Sequence, residues 1–187
     1  MENFVKKAKE ASRVAQTLSG EIKNRILTQM ADALEERSIY LIEENKKDVA
    51  SAKEGGLSEA MIDRLILDKG RVCAMAQGLR QIASLKEPVG RILEGWVTDR
   101  GLRMSKVSVP IGVIAIIYES RPNVTADAAA LCFKSGNVAI LKGGKEATCS
   151  NKAIASILQE ILLKNGLPIE LISLIPDGSR EGVAQII

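Results

Sequence analysis

The sequence predicts an α/β fold in which a helical section and a β-hairpin precede the first part of a parallel, Rossmann-like sheet. Three observations carry this expectation. Apolar residues recur at helical spacing through the first 90 residues. Residues 91–109 alternate in short segments around a turn, and after Pro110 the apolar residues come in unbroken runs separated by helix-length segments.

Phe4, Ala8, Ala11, Ala15 and Leu18 form one helical stripe, and Ile22, Ile26, Met30, Ala33 and Leu34 form a second after a break at Ser19-Gly20. Ser38 is placed to cap a third helix carrying Ile39, Ile42 and Val49, which stops where Gly55-Gly56 supply the left-handed conformation of a helix end. Ser58 and Asp68 read as further N-caps, the second opening a helix with Val72, Met75, Leu79 and Ile82. Pro88-Val89-Gly90 closes the helical section, residues 1–90.

Residues 91–109 read as a hairpin turning at TDRG, whose Asp and Gly are turn formers. The helices around it are already amphipathic, so the hairpin is expected to project or to pair elsewhere, as an oligomerisation element. In residues 110–187, GVIAIIY, NVAIL and LISLI read as strands buried on both faces, and strand–helix–strand order implies parallel pairing with right-handed crossovers. PDGSREGVAQII reads as one more helix without a stop signal. Three strands leave an uncovered edge, so a truncated sheet is expected.

With 187 residues, 46% of them hydrophobic, the chain is long enough to bury a core as a soluble globular unit. A net charge of +3, spread along the chain, and few aromatics argue against a nucleic-acid partner. No apolar run approaches the roughly 20 residues that span a bilayer, and the N-terminus lacks a signal-peptide pattern, so a cytoplasmic protein without a membrane partner is expected. Three cysteines without CxxC spacing and no histidine argue against a disulfide framework, a zinc site and a His-based triad.

In an open parallel sheet, ligands bind outside the carboxyl ends of the strands. YESRPN follows the first strand and KGGKEA the second, so both are expected at one crevice. Neither a P-loop nor a GxGxxG fingerprint is present: Gly143-Gly144 are followed by Lys145-Glu146, without the Walker spacing or its hydroxyl. The two glycines either approach a nucleotide or only turn the chain.

ESRPNVT (residues 119–125) and SGN followed by ILKGG (residues 135–144) resemble the γ-glutamyl phosphate reductase, or glutamate-5-semialdehyde dehydrogenase, family of the aldehyde dehydrogenase superfamily. The resemblance extends over the whole chain and less than half of a family member. It implies the superfamily's fold, with residues 1–187 the N-terminal part of the cofactor-binding domain and the catalytic domain absent. The implied reaction is NADPH-dependent reduction of γ-glutamyl phosphate to glutamate 5-semialdehyde in proline biosynthesis. A cysteine thiolate displaces phosphate to give a thioester, and hydride then gives a thiohemiacetal that collapses to the aldehyde. Glutamate 5-kinase is the implied pathway neighbour and a homo-oligomer the implied assembly. A stand-alone, non-catalytic nucleotide-binding or interaction module is the alternative.

Asn123 matches the superfamily asparagine that donates to the oxyanion; its own chemistry equally suits an Asx-turn capping a helix that begins near Val124. Lys142 matches a ribose-binding lysine. Lys145 stands where NAD-preferring members have an acid, with Glu146 displaced by one, and a cation there favours a 2′-phosphate and hence NADPH. Lys142, Gly143, Gly144, Lys145 and Glu146 are the expected cofactor-binding loop, although Lys145 also reads as a solvated loop cation. Arg121 either holds a substrate carboxylate or phosphate, or pairs with Glu119.

Cys132, in the small-residue stretch DAAALCFKSG, reads as core. Cys149 falls near a helix start whose dipole would lower its pKa. Cys73 is placed on an apolar helical face. The family nucleophile matches none of the three, so this chain alone is expected to be inactive.

Overall fold

A computed structural model describes residues 2–175. The helical section comprises α1 (Glu2–Thr17), α2 (Gly20–Glu36), α3 (Ser38–Glu54), α4 (Glu59–Leu65) and α5 (Lys69–Ser84). The stripe of α1 is buried at Ala8, Ala11 and Ala15, and that of α2 at Ile26, Leu27, Met30, Ala33 and Leu34. Ser19 caps α2 and Asp68 caps α5, each side chain accepting from the backbone N–H three residues on. Ser58 precedes α4 without such a bond.

The third helix departs from its expected form in two ways. Ser38 lies inside it, because the bend from α2 takes a single non-helical residue, Arg37. Its buried face is Leu41, Asn45, Asp48 and Ala52, while Ile39 is exposed. Apolar packing of Leu41, Ala52 and the partly buried Val49 is joined on this face by the polar partners of Asn45 and Asp48. It ends at Gly55-Gly56, where Gly56 takes φ +72°.

The segment leaving α5 is tied to α2 by a half-buried ion pair. Lys23, only 1% exposed, donates to Glu87 Oε1 at 2.6 Å. Beyond it, β1 (Ile92–Val97) and β2 (Arg103–Val107) form a separate antiparallel two-stranded sheet, with a register irregularity near Ile92–Glu94. The turn closes through Gly101 N–H to Thr98 O at 2.8 Å, with Gly101 at φ +80°. Every residue of both strands is exposed, including Ile92, Trp96, Val97 and Met104, so the hairpin projects from the body.

Then follow β3 (Val113–Ile117), α6 (Pro122–Lys134), β4 (Val138–Lys142), a 3-10 turn over Lys145–Ala147, α7 (Thr148–Lys164), a second 3-10 turn over Ile169–Leu171 and β5 (Ile172–Leu174). The sheet order is β3-β4-β5, parallel throughout. Both crossovers advance the same way, so right-handedness puts α6 and α7 on one face. There α6 packs on β4 and α7 on β5, with α2, α3 and α5 layered outside them, while α1 lies against β3 and β4 on the other face.

The central strand and β5, where Ile172 and Ser173 are both buried, meet the expectation of burial on both faces, and β3 does not. Val138–Leu141 are fully enclosed, whereas β3, at an edge, leaves Ala115 and Ile117 exposed. Apolar composition reflects what a strand is built to be covered by, and within the described residues nothing covers that side of β3. The helix expected in PDGSREGVAQII lies outside the described residues. None of the described helices is long and apolar enough to cross a membrane.

Candidate functional site

Pro122 determines how the chain leaves β3. Proline disfavours the helical region for the residue before it, and Arg121 accordingly sits at φ −123°, ψ 100°. Proline's own fixed φ suits the first helical position, so α6 starts at Pro122. The helix therefore does not begin near Val124 with Asn123 as its cap. Asn123 is the second helical residue, exposed, with its Nδ2 donating to Asp127 Oδ2 one turn on at 3.2 Å. The second amide hydrogen is left to point elsewhere.

The loops after β3 and β4 meet as expected, and they interlock. Tyr118 N–H donates to Lys142 O at 3.0 Å, extending the strand pairing by one residue. The Tyr118 hydroxyl lies 2.7 Å from Thr125 Oγ1, which donates in turn to the buried Asn151 Oδ1 at 2.8 Å. Burial pushes the Tyr118 phenol above its ordinary pKa, with the Thr125 bond opposing. Ser120 Oγ donates to Glu146 Oε2 at 2.5 Å.

The glycines are required by this packing. A Cβ on Gly143 would lie 2.2 Å from Asn151 Nδ2 and 3.0 Å from the Tyr118 ring, and one on Gly144 would lie 2.1 Å from Ser120 Oγ. A side chain at either position would displace its neighbours, Asn151 and Tyr118 at Gly143 and Ser120 at Gly144. Their tightness comes from protein neighbours on the side where a Cβ would point.

Charge on the second loop is unbalanced. The Ser120 bond, with Lys145 and Lys142 adding to it, holds the Glu146 carboxyl below the ordinary carboxylate range. Neither lysine has a salt bridge among the described residues, and Lys145 is exposed. Two cations therefore stand against one carboxylate at the carboxyl end of β4.

A clamp from α3 fixes the start of α7. Asp48, 5% exposed, accepts from Cys149 N–H at 3.0 Å, Ser150 N–H at 2.7 Å and Ser150 Oγ at 2.6 Å. Asn45 donates to Ser150 Oγ and Leu65 O and accepts from Leu67 N–H, tying in the end of α4. A distant aspartate thus satisfies the amides of the first turn of α7 that no local cap reaches. It also reverses the expectation for Cys149. Burial first, then the Asp48 carboxylate, pushes that thiol up.

The other cysteines divide. Cys132 is buried in α6 with its thiol pushed up to about 11 by desolvation, as a core residue should be. Cys73 is exposed on α5, its Sγ 3.4 Å from Glu35 Oε1, and does not belong to the apolar face. Among the described residues, no cluster of His, Cys, Asp and Glu could hold a metal ion.

Asn123 lines a cleft of about 540 Å³ between the α4–α5 corner and the start of α6, whose walls include no residue of the Lys142–Glu146 loop. Arg64, Arg71, Arg121, Asp63 and Asp127 line it, with Gly78 on the far wall. Arg121 Nε lies 2.6 Å from Glu119 Oε1, and Arg64 reaches the other oxygen of that carboxylate at 3.5 Å. Arg121 is thus an ion-pair partner of Glu119 and a cleft residue at once. Asp127, Arg64, Asp48 and Asn45 were not singled out from the sequence. The i, i+4 spacing of Asn123 and Asp127 was a readable signal for the first. A polar pair inside a helix gave none for the last two.

Comparison with known proteins places this geometry. The model of the family described as "Aldehyde dehydrogenase family" matches residues 1–187. Gamma-glutamyl phosphate reductase of Sulfurimonas denitrificans is 61% identical over 187 residues, covering 100% of this chain and 46% of the relative. The protein of the same name from Caldanaerobacter subterraneus is 54% identical over 178 residues, 95% of this chain and 43% of the relative. Among solved structures, gamma-glutamyl phosphate reductase from Thermotoga maritima superposes with a TM-score of 0.94 at 39% identity, covering 98% of this chain and 44% of that one. The Saccharomyces cerevisiae reductase gives 0.89 at 37%, covering 95% and 46%. The chain spans about half the length of the curated relatives it matches.

Proposed function

The chain belongs to the aldehyde dehydrogenase family, and from that premise we propose that it forms the N-terminal part of the cofactor-binding domain of a γ-glutamyl phosphate reductase. The reaction is γ-glutamyl phosphate + NADPH + H⁺ → glutamate 5-semialdehyde + phosphate + NADP⁺, a step of proline biosynthesis in the cytoplasm. The observation that carries the proposal is the match over 100% of the chain, at 61% identity, to a relative of that name. Glutamate 5-kinase, which would make the acyl phosphate, is the pathway neighbour, and the projecting hairpin is the element through which copies of the chain associate.

The residues present fit a phosphorylated dinucleotide. Lys142, Gly143, Gly144, Lys145 and Glu146 would hold its adenosine end, the surplus cation suiting a 2′-phosphate. Bound there, the dinucleotide supplies hydride transfer. Asn123 keeps one amide hydrogen free and aims into the cleft, where it would donate to the oxyanion that develops on the acyl carbon. Cys132, packed and with its pKa pushed up, and Cys149, facing Asp48, are both poorly suited to act as the nucleophile, which is assigned to the catalytic domain.

The test is phosphate-dependent reduction of NADP⁺ by the intact gene product with glutamate 5-semialdehyde, the reaction in reverse. Omission of phosphate should abolish NADPH formation. Equal rates with and without phosphate would refute the reading and indicate an ordinary aldehyde-oxidising enzyme.

A further inference from the structure

The charges of the cleft beside Asn123 do not all cancel internally. Arg71 is consumed by structure: it donates to the Asp63 carboxylate at 2.8 Å, to Ile66 O at 2.9 Å and to Asp63 O. Arg64 and Arg121, in contrast, converge on one carboxylate, Glu119, and leave a net positive charge. Asp127 has the Asn123 amide as its one hydrogen-bond partner among the described residues. One carboxylate and one guanidinium equivalent therefore remain on the walls of a single cleft.

We infer that this cleft reads the α-amino acid end of the substrate, Asp127 receiving the α-ammonium and the Arg64–Arg121 pair the α-carboxylate. The inference rests on the reductase reading and names what selects the substrate within it. An α-amino acid carries one charge of each sign, the complement of what the cleft leaves unpaired. The spacing agrees. In γ-glutamyl phosphate four bonds separate the reacting carbonyl carbon from the α-nitrogen, roughly 5 Å when extended. Asn123 and Asp127 stand four residues apart on α6, about 6 Å along the axis, with their side-chain ends 3.2 Å apart. A ligand with its carbonyl at Asn123 thus brings its nitrogen to Asp127.

Gly78 is a second, independent indication. It lies inside α5, where glycine is a poorer helix former than alanine, and its φ is not positive, so the backbone does not require it. A Cβ there would lie 3.4 Å from Asp127 Oδ1, on the cleft side of that carboxylate. The missing side chain keeps open the space in which an ammonium group would approach Asp127. Burial also raises the Asp127 pKa, opposed by the Asn123 bond, a cost that an arriving cation relieves. The cleft volume of about 540 Å³ lies within the usual range for small-ligand pockets, roughly 300–1,000 Å³.

The experiment compares two aldehydes in the phosphate-dependent assay of the intact gene product: L-glutamate 5-semialdehyde, and 5-oxopentanoate, which lacks only the α-ammonium. Asp127→Asn should lower kcat/KM for the amino aldehyde by about 10²-fold, through KM, and leave 5-oxopentanoate within about threefold. Arg64→Gln, at an exposed site, should raise KM for both aldehydes with kcat within about twofold, and it serves if Asp127→Asn fails to fold. Equal losses on both aldehydes in Asp127→Asn, or no loss on the amino aldehyde, would overturn the inference. Calorimetric titration with L-glutamate and with glutarate separates the two readings. An enzyme that turns over neither aldehyde, yet binds L-glutamate in an Asp127-dependent way, would remove the reductase reading and keep this one; L-glutamate binding no tighter than glutarate would remove this one.

Discussion

Replacing Asp48 by alanine tests whether α3 holds the start of α7. The carboxylate accepts three bonds, from Cys149 N–H, Ser150 N–H and Ser150 Oγ, and the site is almost closed to water. A hydrogen bond to a charged group contributes about 1.5–3 kcal/mol, and stranded buried donors add their desolvation. The three share one acceptor and do not add fully, so Asp48→Ala should cost about 3–5 kcal/mol in the free energy of opening the start of α7. Hydrogen exchange by mass spectrometry over residues 145–155 of the intact gene product reads this directly. The Cys149 and Ser150 amides should exchange about 10²–10⁴ times faster. Asp48→Asn, which keeps one acceptor, should fall between, and either variant should bring the Cys149 thiol down, seen as faster alkylation at fixed pH. Protection unchanged to within about threefold in Asp48→Ala would refute the clamp.

Three further outcomes follow from the site. Asn123→Ala in the intact gene product should lower kcat by on the order of 10²–10³ while NADPH binding changes little; an unchanged kcat would reduce Asn123 to a structural partner of Asp127. Lys145→Glu should shift preference from NADPH toward NADH, read as the ratio of the two kcat/KM values, and a constant ratio would move the discrimination elsewhere. Ser120→Ala removes the largest cause of the lowered Glu146 pKa. A carboxyl whose folded pKa is depressed stabilises the protein above its unfolded pKa, and that contribution is lost as pH falls through the lowered value. The variant should therefore be less stable than wild type near pH 7, with the gap closing below the ordinary carboxylate range; a gap independent of pH would point to packing alone.

The stripes at Ala8, Ala11 and Ala15 and at Ile26, Met30 and Leu34, the TDRG turn and the three apolar runs were legible because each is set by a period or a local backbone preference. The third helix was misread at Ile39 because its position is decided by Asp48 and Asn45 reaching residues about 100 and 20 positions away. Periodicity carries no information on partners that distant. The start of α6 was misplaced because two signals competed: Asn123 is a good cap, but Pro122 fixes the first helical turn and Arg121 must stay extended. The raised Cys149 thiol has a related origin: its burial comes first and the Asp48 charge second, and that charge comes from another element. Asn123 and the Lys142–Glu146 loop were placed by resemblance to a family, while the cleft, a product of three helices, was visible only in three dimensions.

The glycines bring the loops after β3 and β4 into direct contact, with the Ser120–Glu146 bond between them. Gly144 is seated against Ser120 and Gly143 against Tyr118, so a shift of one loop toward the other meets that loop's atoms. Thermodynamic linkage then makes any communication between them reciprocal: if occupancy at Lys145 changes affinity at the Asn123 cleft, occupancy of the cleft changes affinity at Lys145 by the same factor. Order of addition would alter the route but not the final equilibrium. Gly144→Ala, which forces the loops apart at Ser120, should reduce that coupling factor toward one even where each ligand still binds alone.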